Sequence, residues 1–163
     1  MGMKHLPKHL RPRWRYLAVG IETWPTASLD RRAFQRAVWY AAQNLLGDTG
    51  SAETDMTVLQ FHDYDGTAEA IVRTRRGQTD PARAALTCLD SVDGDDVRVR
   101  VRGISGTVRA CEEKYIRGPP ESTEQRHVVF ENADRGATVR PPRYDVEAAS
   151  GGAFVGATAL DFR

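Results

Sequence analysis

The chain has 163 residues, 40% of them hydrophobic and 28% charged, as in an ordinary globular protein with about one domain's worth of core. No stretch reaches the roughly 18 apolar residues of a membrane span, and residues 1–16 have no apolar h-region of a signal peptide, so the expected location is the cytoplasm. Twenty-three basic against 22 acidic residues leave a net charge of +1, yet residues 1–117 carry +3 and residues 118–163 carry −2. The basic residues are 20 Arg and only three Lys (Lys4, Lys8, Lys114). That bias fits a G+C-rich genome or a salt-adapted proteome, and it equally fits bidentate phosphate contacts that survive screening.

Residues 1–15 form a basic arm: Lys4, Lys8, Arg11, Arg13 and Arg15 stand with His5 and His9 and no acid. Such an arm suits a phosphate backbone. In residues 14–22, Leu17, Val19 and Ile21 alternate with Tyr16, Ala18 and Gly20, which predicts a strand. A helix is predicted over 29–46, capped by Ser28, with Ala33, Phe34, Ala37, Val38, Ala41 and Leu45 as its apolar stripe and Gly47 as its stop. After a turn-rich stretch, residues 56–62 and 69–75 read as strands joined by the hairpin turn Asp65-Gly66. Asp80-Pro81 opens a second helix with the stripe Ala82, Ala85, Leu86, Leu89 and Val92. The last strand, 97–103, sets Val97, Val99 and Val101 against Arg98, Arg100 and Arg102.

The order β-α-β-β-α-β predicts an α+β, ferredoxin-like sandwich: a four-stranded antiparallel sheet with RRM-like topology and both helices on one face. The loop Gly103-Ile104-Ser105-Gly106-Thr107 then enters an extra short helix ending near Ile116, capped by Ser105 or Thr107. Ala18 and Gly20 are small, so this helix or a partner chain, self-association included, can approach the second face of the sheet closely. From Gly118 the chain is rich in Gly, Pro, Glu and Ser, and residues 118–163 read as a partly disordered acidic extension whose short apolar runs could dock as added strands. The division is therefore an arm over 1–15, a domain over 14–117 and the extension.

Catalytic patterns are weak. The loop at Ser105 lacks the final glycine of a nucleophile elbow, His62-Asp63-Tyr64-Asp65-Gly66 lacks the later ligands of a calcium loop, and the four His and two Cys lie too far apart for a zinc site. Walker A and dinucleotide fingerprints are missing, and no metal or cofactor is expected on the chain. Cys88 and Cys111 read as buried small residues within helices. The arginines are the stronger signal. Arg73 and Arg75 with Arg98, Arg100 and Arg102 would share one sheet face and could bind phosphate, although edge arginines also protect a sheet from aggregation. Residues 69–76 lack the stacking aromatics of an RNA-recognition motif, so RNA would be held by its backbone. Residues Gly103, Ser105, Gly106 and Thr107 could offer N–H groups to a phosphate or serve as a simple helix-entry turn.

Five blocks in order carry a family resemblance: Leu6-Pro7 through Leu10-Arg11 with Arg15-Tyr16-Leu17-Ala18; Leu45-Leu46-Gly47-Asp48-Thr49-Gly50; Ala70-Ile71-Val72-Arg73; Gly103-Ile104-Ser105-Gly106-Thr107-Val108-Arg109; and Lys114-Tyr115. Together, over residues 4–117, they resemble the archaeal ribonuclease P component 2 family, which is related to the Pop subunit shared by eukaryotic ribonucleases P and MRP. The resemblance implies a non-catalytic subunit of an endoribonuclease that removes the 5′ leader of precursor tRNA, with the RNA component performing hydrolysis using magnesium. It implies component 3 as direct protein partner and components 1 and 4 in the same complex. The residues expected at RNA phosphates are Lys4, Lys8, Arg11, Arg13, Arg15, Arg73, Arg75, Arg76, Arg102, Arg109 and Lys114. Two other readings are a general ribosome-associated RNA-binding protein, and a ferredoxin-like module for dimerisation or a small molecule.

Overall fold

The computed structural model describes residues 6–121 and 123–162. After a 3-10 turn at Lys8–Leu10, β1 (Trp14–Thr23) runs through the centre of the first sheet. Helix α1 (Arg31–Thr54) starts two residues later than the pattern of Ser28 suggested, because the Asp30 carboxylate accepts the Ala33 N–H at 2.8 Å. Gly47 interrupts the helix as expected, with φ +72°, a conformation that a side chain would strain. The chain does not stay in a loop afterwards. It resumes helix to Thr54, where Asp55 closes the end in the left-handed region and the Thr74 hydroxyl donates to the Thr54 carbonyl at 2.6 Å.

Strands β2 (Thr57–Asp63) and β3 (Thr67–Arg75) form the predicted hairpin, with Asp65 and Gly66 both at positive φ. Helix α2 (Thr79–Thr87) is shorter than its apolar stripe. Leu89 and Val92 are buried from the connection and from the two-residue strand β4 (Ser91–Val92), which turns through Asp93-Gly94 into β5 (Asp95–Ser105). Cys88 therefore ends up exposed just past the helix, contrary to its reading as buried, while Cys111 is buried. The sheet has five strands rather than the expected four, because the two-residue β4 adds an edge beside β5; the order is β2-β3-β1-β5-β4 with every neighbouring pair antiparallel. Its main core lies beneath α1 and α2, where Leu17, Val19, Ile21, Phe34, Val38, Val72 and Leu86 are fully buried. Burying such side chains stabilises by about 1.5–3 kcal/mol each relative to exposure.

Helix α3 (Val108–Tyr115) covers the second face, as the small residues of β1 suggested. Ala18, Ile71 and Cys111 pack there with Tyr16, Val108, Tyr115 and Ile116. Gly103 is required on this face, because a Cβ at that position would overlap the Tyr115 ring.

The extension is not a partly disordered tail over its described length. Strands β6 (Glu124–Phe130), β7 (Ala133–Arg140), β8 (Arg143–Glu147) and β9 (Phe154–Thr158) form a second antiparallel sheet in sequence order. One face buries Ala137, Val146 and Ala157 beside Val128, Phe130, Tyr144 and Phe162. The other meets the first sheet, where buried Arg140 donates to the carbonyls of Gly66 and, at 2.9 Å, Thr23, and pairs with the buried Asp145 carboxylate. Arg143 reaches Glu22 at 3.0 Å, and Trp24 stacks on Phe154 with ring centroids 6.0 Å apart.

Candidate nucleic-acid interface

The start of β1 lies between the ends of β3 and β5, so register alone gathers much of the predicted basic set at one end of the sheet. Trp14 pairs with Arg75, Tyr16 pairs with both Arg73 and Ser105, and the Arg76 N–H closes the end on the Arg13 carbonyl at 2.8 Å. Trp14 is the platform. The Arg73 guanidinium stands 4.0 Å from its ring centroid and that of Arg75 5.2 Å, a cation–π arrangement that fixes both side chains. Arg75 also pairs with Asp55 at 3.1 Å. The Arg15 guanidinium donates to the Trp14 carbonyl at 3.2 Å and reaches toward Gly106. Arg13 and Arg76 are exposed at this end, and Lys8 and Arg11 are exposed on the preceding segment, Arg11 with its Nε bonded to the Leu6 carbonyl at 2.9 Å. Lys4 lies outside the described residues.

The loop residues Gly103, Ser105, Gly106 and Thr107 divide between two roles. Gly103 and Ser105 belong to β5, and the Thr107 hydroxyl accepts the Ala110 N–H at 3.1 Å, which makes it the cap of α3. On α3 itself Arg109 and Lys114 are exposed, with Arg109 paired to Glu113 at 2.8 Å across one turn. Cys111 lies beneath them with its Sγ 3.6 Å from the Tyr16 carbonyl, and burial, with a smaller contribution from Glu112, pushes its thiol up to about 11.

Arg102 is separate from that rim. It forms an ion pair with Glu69, whose side chain is only 3% exposed, and also donates to the Tyr115 carbonyl at 3.3 Å. The same carboxylate accepts the N–H groups of Arg117 at 2.9 Å and Gly118 at 3.0 Å, so it anchors the exit of α3. Burial first, and then Glu69, raise the pKa of Tyr64 beside it. Sequence reading missed Glu69, although a lone carboxylate amid the apolar residues of β3 was a visible signal. It also missed Trp14 as an arginine platform, for which the adjacent basic arm was the clue. Among the described residues no group of three or more His, Cys, Asp or Glu could hold a metal ion, and no helix is long and apolar enough to cross a membrane.

These features define the class: a small α+β protein with an arginine-lined sheet end organised by an aromatic residue. The Rpp14/Pop5 family model matches residues 15–116, and the chain belongs to that family. A Haloarcula marismortui protein named ribonuclease P protein component 2 is 94% identical over 161 residues, covering 99% of this chain and all of the relative. The Natronomonas pharaonis protein of the same name is 64% identical over 161 residues, covering 99% of each chain. A third relative of that name, from Methanobrevibacter smithii, is 32% identical over 121 residues, which covers 71% of this chain but 98% of the relative.

Proposed function

We infer that this chain is a protein subunit of ribonuclease P that supports the RNA component in removing the 5′ leader from precursor tRNA. The observation that carries this reading is the 94% identity, end to end, with a protein named as component 2 of that enzyme. The chain is a non-catalytic subunit of an endoribonuclease: hydrolysis and its magnesium ions belong to the RNA. Component 3 is its direct protein partner, components 1 and 4 share the complex, and the assembly works in the cytoplasm.

The domain over 14–117 is ferredoxin-like, a reading supported by the all-antiparallel order β2-β3-β1-β5 and by both α1 and α2 packing on the main core. The arm over 1–15 and the Trp14 rim hold the RNA backbone through Lys8, Arg11, Arg13, Arg15, Arg73, Arg75 and Arg76, with Arg109 and Lys114 on the neighbouring helix. Charge-assisted guanidinium bonds to phosphate suit this arrangement, since the Trp14 ring holds the forks of Arg73 and Arg75 and the Asp55 carboxylate holds that of Arg75 before RNA arrives. Residues 118–163 are an appended unit on that domain.

Reconstitution tests the reading. The RNA component and the remaining proteins are assayed on precursor tRNA with and without this chain, and omission is expected to depress cleavage. Unchanged cleavage on omission overturns it. Replacing Lys8, Arg11 and Arg13 by Ala should flatten the plot of log affinity against log salt by about 0.7–0.9 per lost contact.

A further inference from the structure

We propose that the cleft formed by Arg98, Arg100, Arg102 and Arg117, at the opposite end of the sheet from Trp14, is a second site for a phosphate of the RNA backbone. The proposal rests on the ribonuclease P reading for the identity of its polyanion. Gly20 faces Arg100 across the strand pair, and because it has no side chain the Arg102 guanidinium can lie directly over it; beside that guanidinium a recess of about 110 Å³ opens, lined also by Arg98, Arg100 and Arg117. A single water occupies about 30 Å³ of liquid, so the recess has room for an anion with part of its hydration.

The charge in this recess is unbalanced. Four guanidinium groups and one carboxylate, Glu22, line it. Glu69 neutralises Arg102 from behind, while Glu22 is shared between Arg98 at 4.0 Å and Arg143 of the second sheet at 3.0 Å. Among the described residues the side chains of Arg100 and Arg117 have no ion-pair partner. Both are exposed. Their backbones are nonetheless fixed, Arg100 by the β1–β5 ladder and Arg117 by its N–H bond to Glu69. Two uncompensated forks on rigid supports, converging on one recess, match the planar, two-point geometry that arginine uses for phosphate. By about 3.4 Å per residue, the cleft at Gly20 lies roughly 20 Å along β1 from Trp14. The exposed Arg109 and Lys114 of α3 stand on the same face of the sheet, which gives an RNA strand or groove edge a cationic route between the two ends.

The test uses the full chain with the R100Q/R117Q substitutions, the ribonuclease P RNA of the same source, and binding measured across a salt series. The expected result is weaker binding and a log–log salt slope reduced by about 1.4–1.8, two contacts' worth, with R100K/R117K recovering the slope but not the whole affinity. R36Q, an exposed arginine of α1 on the opposite face, should leave the slope unchanged. An unchanged slope in R100Q/R117Q overturns the proposal. So does unaltered RNA affinity combined with a failure to assemble with the other protein subunits, which would make the cleft a protein-docking surface. If omission of the chain depresses cleavage while R100Q/R117Q binds RNA as the parent does, the cleft fails and the subunit reading stands; if omission has no effect, the subunit reading itself fails.

Discussion

Arg140 joins the two sheets, and removing it should loosen the second one. In R140M, Asp145 keeps its place with no exposed side-chain area, and its remaining cation is Arg143, whose Nε lies 2.8 Å from the carboxylate. Breaking a buried pair by deleting one partner costs about 3–5 kcal/mol when the other charge is left uncompensated. Arg143 compensates in part, and the Gly66 carbonyl still accepts the Thr23 N–H at 3.0 Å, so the lower end, about 3 kcal/mol, applies. At about 2–4 °C per kcal/mol for a chain of this size, thermal unfolding should begin some 6–12 °C lower. Circular dichroism gives the midpoint, and hydrogen exchange places the loss, which should concentrate in amides of β7 and β8 rather than β1 and β3. The double variant R140M/D145L removes both charges and should recover most of the loss, because an apolar pair can match or exceed a buried ion pair. If R140M unfolds within 2 °C of the parent, or if R140M/D145L is no better than R140M, Arg140 does not hold the sheets together by its charge.

Three further outcomes follow from the packing. Gly103→Val should lower thermal stability by about 1–3 kcal/mol, since the new side chain meets the Tyr115 ring, and Y115A in the same background should relieve part of it. Thr107→Ala should cost about 0.5–2 kcal/mol by leaving the Ala110 N–H uncapped, whereas Thr107→Ser should be nearly neutral in the same thermal scans. In native protein near pH 8 a thiol reagent should label exposed Cys88 and spare Cys111, whose thiol titrates at about 11. Raised in the folded state, Cys111 keeps its full stabilising effect below the ordinary thiol range, and stability falls as pH climbs from about 9 toward 11; a flat profile for wild type relative to C111A over that window contradicts this.

The parts of the fold that were readable before the structure are those where one face of an element is apolar and the other is not. Valine-arginine alternation marked β5, and the pair of small residues Ala18 and Gly20 marked the face that α3 covers. The second sheet was illegible for a physical reason: the face that meets the first sheet buries Thr138, Arg140 and Asp145, so its strands show no clean apolar alternation, and its own core relies on Ala137 and Ala157. The overlong reading of α2 has a similar origin. Leu89 and Val92 keep a helical spacing from Leu86, yet a turn and a two-residue strand bury them instead. For the basic site, the residue types were visible but their grouping was not. Only strand register reveals that Arg73, Arg75 and Arg15 gather around Trp14 while Arg102 turns to Glu69.

The attachment of the second sheet has a consequence for how such a chain could come to exist. Arg140 grips two main-chain carbonyls, those of Thr23 and Gly66, and brings its own counter-charge in Asp145. Carbonyl oxygens are offered by any sequence that forms this hairpin and strand end. At Gly66 the positive φ of the turn already calls for glycine, and the same lack of a side chain leaves room for the guanidinium. The first domain therefore needs no particular side chain to accept this grip, and Glu22 and Trp24 add their contacts to Arg143 and Phe154 once the sheet is seated. The extension behaves as a graft whose lock is carried on the graft.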